Sequence, residues 1–146
     1  MFGKGCAFFA GYILLRKASK SEPTEYVALQ NLGQSVEIIL KSLLLIKDYD
    51  KYKPLFGKKN GFGHDLSKLS YEVNKVYRKS PLSRQSVSQI QLFNKFYCSH
   101  RLRYGTGVDL FISPSLISRT RIVRLLGNII KISSKTYSEP TLTSLE

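Results

Sequence analysis

Between Glu25 and about Ile46, Leu29, Leu32, Val36, Ile39, Leu40 and Leu43 recur at three- and four-residue steps, a spacing that lines one face of an α-helix. Ile38, Leu44, Leu45 and Ile46 widen that stripe, so this helix is expected to be central and buried on more than one side. Glu37 and Lys41 stand one turn apart with the acid first, the favourable order for an ion pair. Upstream, the apolar run from Cys6 to Leu15 predicts a helix from near Lys4 to Lys17, closed by the polar stretch Ser19 to Pro23. Ser21 or Thr24 is placed there to cap the next helix. A membrane span needs about 20 apolar residues, and this run is half that. With no small-residue cleavage site before the following charges, a buried amphipathic helix is favoured over a span or a signal peptide.

Lys51 to Gly63 contains Pro54, Gly57, Asn60, Gly61 and Gly63 and reads as a loop. A helix follows from about Asp65, its cap, with Leu66, Leu69, Val73, Val76 and Tyr77 on one face. It stops before Ser80-Pro81, because the residue preceding a proline disfavours helix. The next helix begins near Ser83 to Ser86, turns Val87, Ile90, Phe93, Phe96, Tyr97 and His100 inward, and ends at Gly105 and Gly107. After an irregular link through Pro114, Ser115 caps a last helix bearing Leu116, Val123, Leu126, Ile130 and their neighbours, with Arg119, Arg121 and Arg124 in its first half. No segment sustains a period of two, although Val108 to Ile112 suits a short extended piece. The expected fold is all-α, an antiparallel bundle of four to five helices in one domain over 1–146, with its core over about 4–132 and a polar tail over 133–146.

Composition agrees with one folded core: 146 residues are near the modal domain size, and 42% hydrophobic with 12% aromatic content argues against disorder. Cys6 and Cys98 lie far apart and form no CxxC pair, which signals neither a disulfide framework nor a zinc knuckle and fits a reducing, cytoplasmic setting. Charge changes the picture more. Of the net +13, residues 1–72 carry eleven Lys/Arg against seven Asp/Glu, whereas residues 73–138 carry twelve against Asp109 alone. Such an excess attracts polyanions; nucleic acid or a nucleotide phosphate is the favoured partner, ahead of simple solubilisation and of membrane headgroups.

The candidate chemistry is sparse. Gly57-Lys58-Lys59-Asn60-Gly61-Phe62-Gly63 has the residues of a phosphate cradle but lacks the closing Gly-Lys-Ser/Thr and a preceding strand, so a surface loop is the better reading. His64 is explained by packing or capping at a helix start, with no second ligand at helical spacing to make a metal site. Cys98 and His100 point in different directions on a helix, which undercuts a Cys-His nucleophile. Tyr97, Tyr104, Phe93 and Phe96 have the rings to stack bases, although such residues are more often core. No catalytic serine elbow, carboxylate pair, metal set or cofactor motif stands out.

Three segments together carry a family resemblance: Leu32-Gly33-Gln34-Ser35-Val36-Glu37-Ile38-Ile39-Leu40-Lys41-Ser42-Leu43-Leu44, then His64-Asp65-Leu66, then Tyr97-Cys98-Ser99-His100-Arg101-Leu102-Arg103-Tyr104-Gly105. In this order the chain resembles the HEPN family of helical bundles over roughly residues 25–105. The resemblance implies an antiparallel bundle that dimerises, in a family whose members act on RNA in defence or toxin–antitoxin systems or bind nucleotides or partner proteins. The RNA-cutting members carry His four to six residues after Arg. Here neither His64 nor His100 has that spacing, so the resemblance implies a non-catalytic homodimer more than a nuclease.

His100 beside Arg101 and Arg103 still supplies a group near neutral pKa and cations for a phosphorane, the ingredients of a metal-independent ribonuclease. The expected phosphate-binding set is Arg101, Arg103, Tyr104, Arg119, Arg121 and Arg124, with His100 the only catalytic candidate. A core role for His100 and helix-end contacts for the arginines weigh equally. Two rival functions remain: a divergent ribonuclease toxin using His100, and an interaction subunit whose basic face meets an acidic antitoxin or a nucleotidyltransferase.

Overall fold

The structure is a computed structural model, and it describes residues 1–18, 22–57, 61–77, 81–98 and 118–138. These form six α-helices and one 3-10 turn: α1 (Phe2–Ala18), α2 (Glu22–Lys47), α3 (Tyr49–Tyr52), the 3-10 turn (Lys53–Leu55), α4 (Leu66–Val76), α5 (Arg84–Tyr97) and α6 (Arg119–Ser138). Among the described residues there is no strand. Val108 to Ile112, Ser115, Gly105 and Gly107, on which further expectations rested, lie outside them.

The widened apolar stripe makes α2 the hub. Ala28, Leu29, Leu32, Val36, Ile39, Leu40, Leu43 and Leu44 are all buried, because α1 covers one side of the helix while α4 and α5 cover others. Each of the leucine, isoleucine and valine side chains contributes about 1.5–3 kcal/mol when fully buried. The stripe fades at its end, where Ile46 is exposed. Thr24 lies within α2 and is not its cap, since the helix already includes Glu22; Ser21 is outside the described residues.

α1 and α2 form an antiparallel hairpin: Arg16 meets Glu25, Gly11 faces Asn31, and the Ser35 hydroxyl donates to the Gly5 carbonyl at 2.8 Å. Gly5 permits that approach, because a Cβ there would stand 2.7 Å from Ile39. The segment after α2 is more ordered than its glycines and proline suggest. Asp48 caps α3 by accepting from the Lys51 amide at 3.0 Å, and Pro54 sits at the start of the 3-10 turn, where its missing N–H costs nothing. Tyr52 is fully buried and donates to Glu72 at 2.8 Å, so helical turns replace the first part of the expected loop.

Asp65 caps α4 as expected, accepting from the Ser67 and Lys68 amides at 2.9 and 3.1 Å. The amide of Leu66 instead donates to Asn94 of α5 at 2.8 Å, and the Asn94 side chain donates back to Asp65 at 2.9 Å. This reciprocal tie explains a buried asparagine on α5. α4 ends at Val76, ahead of Pro81, and Ser83 caps α5 by accepting from the Ser86 amide at 3.1 Å. On α6, Ile122, Leu125, Leu126 and Ile129 are buried while Val123 and Ile130 are half-buried, so the face is centred on the expected Leu126 but takes in Ile122 and Ile129 ahead of Val123 and Ile130. α6 also continues through Ser138, which makes residues 133–138 of the expected tail helical.

No helix among the described residues is long and apolar enough to cross a membrane.

Candidate functional site

Two ionic centres are built on α2, one inside the fold and one at its edge. The inner one gathers on Glu37, which is 7% exposed. Lys41, one turn on, donates to it at 2.7 Å, Tyr97 of α5 donates through its hydroxyl at 2.7 Å, and His64 Nδ1 lies 3.0 and 3.2 Å from its two carboxylate oxygens. Burial works to raise the Glu37 pKa, but the hydrogen bonds from Lys41, Tyr97 and His64 outweigh it and hold the carboxyl below its ordinary value. Gly33 makes this possible. A Cβ at that position would stand 2.3 Å from the Tyr97 ring, so only glycine lets the ring lie against α2 with its hydroxyl one turn away at Glu37.

His64 is therefore explained neither by capping, which Asp65 performs, nor by packing alone: its side chain, 48% exposed, closes the polar cluster from the rim. His64 and Tyr97, one from each of the two later segments that carry the HEPN resemblance, meet the Glu37 carboxylate of the first. Phe93, Phe96 and Tyr97 are buried in the core, the reading favoured for them, and so are not available as base-stacking platforms.

The outer centre gathers on Glu25, near the start of α2. Arg16 of α1 contacts one carboxylate oxygen at 2.7 Å and Arg119 of α6 contacts the other. Beside them a cleft of about 590 Å³ opens between α1 and α6, lined by Tyr12, Ile13, Arg16, Lys17, Ser118, Arg119, Thr120 and Val123. Burial raises the Tyr12 pKa against the opposing pull of Arg16 and Arg119. Arg16, Lys17 and Arg119 outnumber Glu25, so the site is electropositive as well as open.

Of the expected phosphate-binding residues, Arg119, Arg121 and Arg124 are described, and α6 divides them. Arg119 turns toward α1, whereas Arg121 and Arg124 line a second groove of about 320 Å³ beside the first turn of α5, together with Ser83, Gln85 and Ser86. Arg121 donates to Gln85 at 2.9 Å. His100, Arg101, Arg103 and Tyr104 lie outside the described residues. Arg16, Lys17 and Glu25 were missed by the sequence reading, in which Arg16 and Lys17 are only the charges that follow the first apolar run. The signal available was their position at a helix end, which does not say that α6 returns to that end.

No protein-family profile, curated protein or solved structure matches this chain.

Proposed function

We propose that this chain is a non-catalytic, HEPN-like helical domain that dimerises and binds RNA or nucleotide phosphate through the basic surface on both sides of α6. The observation that carries the reading is the charge around that helix: Arg16, Lys17 and Arg119 line one cleft and Arg121 and Arg124 the other, with Glu25 the acid set among them. The second groove also takes in the start of α5, where the helix dipole adds partial positive charge. Grooves lined by one sign of charge focus the field on a polyanion and gain affinity from counterion release. Convergence of Gly33, Glu37, His64 and Tyr97 on one cluster supports the family resemblance, since it joins segments that the sequence separates widely.

The test is a titration of single-stranded RNA into the protein across a salt series, with light scattering to read the oligomeric state. Log affinity is expected to fall linearly with log salt, with a slope of about −0.7 per phosphate neutralised. An affinity indifferent to salt counts against the reading.

A further inference from the structure

Another cavity opens between α4 and the segment that leads into it. It measures about 280 Å³ and is lined by Leu55, Gly61, Phe62, Lys68, Tyr71 and Glu72, none of which belongs to α5 or α6. Its floor is set before any ligand arrives. The Phe62 amide donates to the Leu55 carbonyl at 3.1 Å, and the Phe62 carbonyl accepts from the Asp65 amide at 2.9 Å, so the backbone is pinned on both sides. Tyr52 and Phe56 then hold the Phe62 ring, with centroids 6.3 and 6.1 Å from it. A floor fixed in advance lowers the entropic cost of binding.

The side that α4 supplies is different. Tyr71 is 69% exposed, and among the described residues neither its ring nor its hydroxyl has a partner. It is thus free to close on a flat group that rests against Phe62. Charge decides what that group carries. Glu72 is matched, since its Oε1 accepts from the Tyr52 hydroxyl at 2.8 Å and faces the Lys51 ammonium at 3.9 Å. Lys68, one turn earlier on α4, has no ion-pair partner among the described residues. One unmatched positive charge remains at the cavity, which suits a ligand with a single negative charge; a dianion would bring its second charge against Glu72. The volume lies just below the roughly 300–1,000 Å³ of pockets for drug-sized ligands and holds one ring with a short chain.

We propose that this cavity binds an aromatic monocarboxylate, carried either by a free small molecule or by the C-terminal aromatic residue of a peptide. The ring lies between Phe62 and Tyr71 with Leu55 beside it, and the carboxylate meets the Lys68 ammonium at the mouth. The proposal uses no residue of the surface around α6, so it stands or falls independently of the RNA reading.

NMR titration of the intact protein with phenylpropionate, its primary amide, phenylpropylamine and propionate tests it, read at the amides of Gly61, Phe62 and Tyr71. Phenylpropionate is expected to bind one to one and about threefold or more tightly than its amide, the effect of one exposed ion pair. The amine and propionate should bind more weakly still. Tyr71→Ala, at an exposed position that leaves the urea midpoint in place, should weaken phenylpropionate about fivefold by removing one aromatic wall. Lys68→Gln should erase the preference for carboxylate over amide, while Lys75→Gln, which removes the same charge from an exposed position farther along α4, should preserve it. Peptides ending in phenylalanine, one with a free carboxylate and one amidated, identify the source: a free-acid peptide that binds more tightly than phenylpropionate assigns the cavity to chain ends, and the reverse assigns it to the small molecule. The amide or the amine binding as tightly as the carboxylate, adenosine monophosphate binding here more tightly than phenylpropionate, or Tyr71→Ala binding as the wild type does, overturns the proposal.

Discussion

Glu37 and Glu25 stand on the same helix, and each gathers partners from other elements of the chain, but the surroundings give them opposite characters. Glu37 is enclosed: Lys41 balances its charge, Tyr97 and His64 fill its remaining acceptor sites, and the cluster joins α2 to α5 and to the entry of α4. Glu25 is outnumbered, with two arginines on its carboxylate and a lysine near by, beside an open cleft. A balanced, buried carboxylate specifies packing. One that leaves surplus positive charge at an opening holds a binding surface in place.

The contrast is broken most directly by removing each acid. Glu37→Ala strands the buried Lys41 ammonium without its partner and is expected to cost about 3–5 kcal/mol, read as a shift of the urea midpoint. Should that variant unfold at the wild-type midpoint, the inner cluster is not structural and the distinction fails. Gly33→Ala comes next. Its methyl group displaces the Tyr97 ring and breaks the hydroxyl contact to Glu37, at a cost of about 1–3 kcal/mol for overpacking in the same assay.

pH sharpens the comparison. Because the folded-state pKa of Glu37 is lowered, its stabilising contribution is fully present above the unfolded value of about 4.3 and is lost as pH falls through the folded value beneath it. Wild-type stability should therefore fall on acidification below about pH 4.3, and Glu37→Gln, already lacking that contribution, should show a shallower fall over the same window.

Smaller effects belong to the edge. Glu25→Gln should cost about 1 kcal/mol or less in the same urea assay, since the arginines it releases remain partly solvated. Arg121→Ala with Arg124→Ala should alter stability by no more than about 0.5 kcal/mol while flattening the RNA salt slope by about 1.4, two phosphate contacts at 0.7 each. A melt and a salt titration on one preparation of each variant check both halves.

What could be read from the sequence followed how local each determinant is. The cap at Asp65, the start of α5 near Ser83 and the pairing of Glu37 with Lys41 involve neighbours within four residues, and all three stand in the structure. That the Glu37–Lys41 pair is buried could not be read, because Tyr97, 60 residues away, completes its enclosure. On α6 the expected Leu126 is buried, but Val123 and Ile130 sit at the edge of the face while Ile122 and Ile129 fill it, because adjacent apolar residues fit a helical stripe equally well and only the packing partner distinguishes them. In residues 51–63, glycine and proline outweighed two quieter signals, the Asp48 cap just upstream and Tyr52, which is fully buried. Arg119, Arg121 and Arg124 were legible as a basic group. Their division between two grooves was not, since it depends on Arg119 meeting Arg16 and Glu25 across most of the chain.

The tie between Leu66 and Asn94 offers a way to time events in this molecule. Ser67 and Lys68 donate to Asp65 within their own helix, so their amide protons are shielded from solvent exchange whenever α4 is formed. The amide of Leu66 is shielded only when α5 is seated with Asn94 against it. Three consecutive amides thus form a clock with two hands: deuterium entering at Leu66 ahead of Ser67 and Lys68 marks α5 lifting from an intact α4, and simultaneous entry marks the two helices opening as one unit.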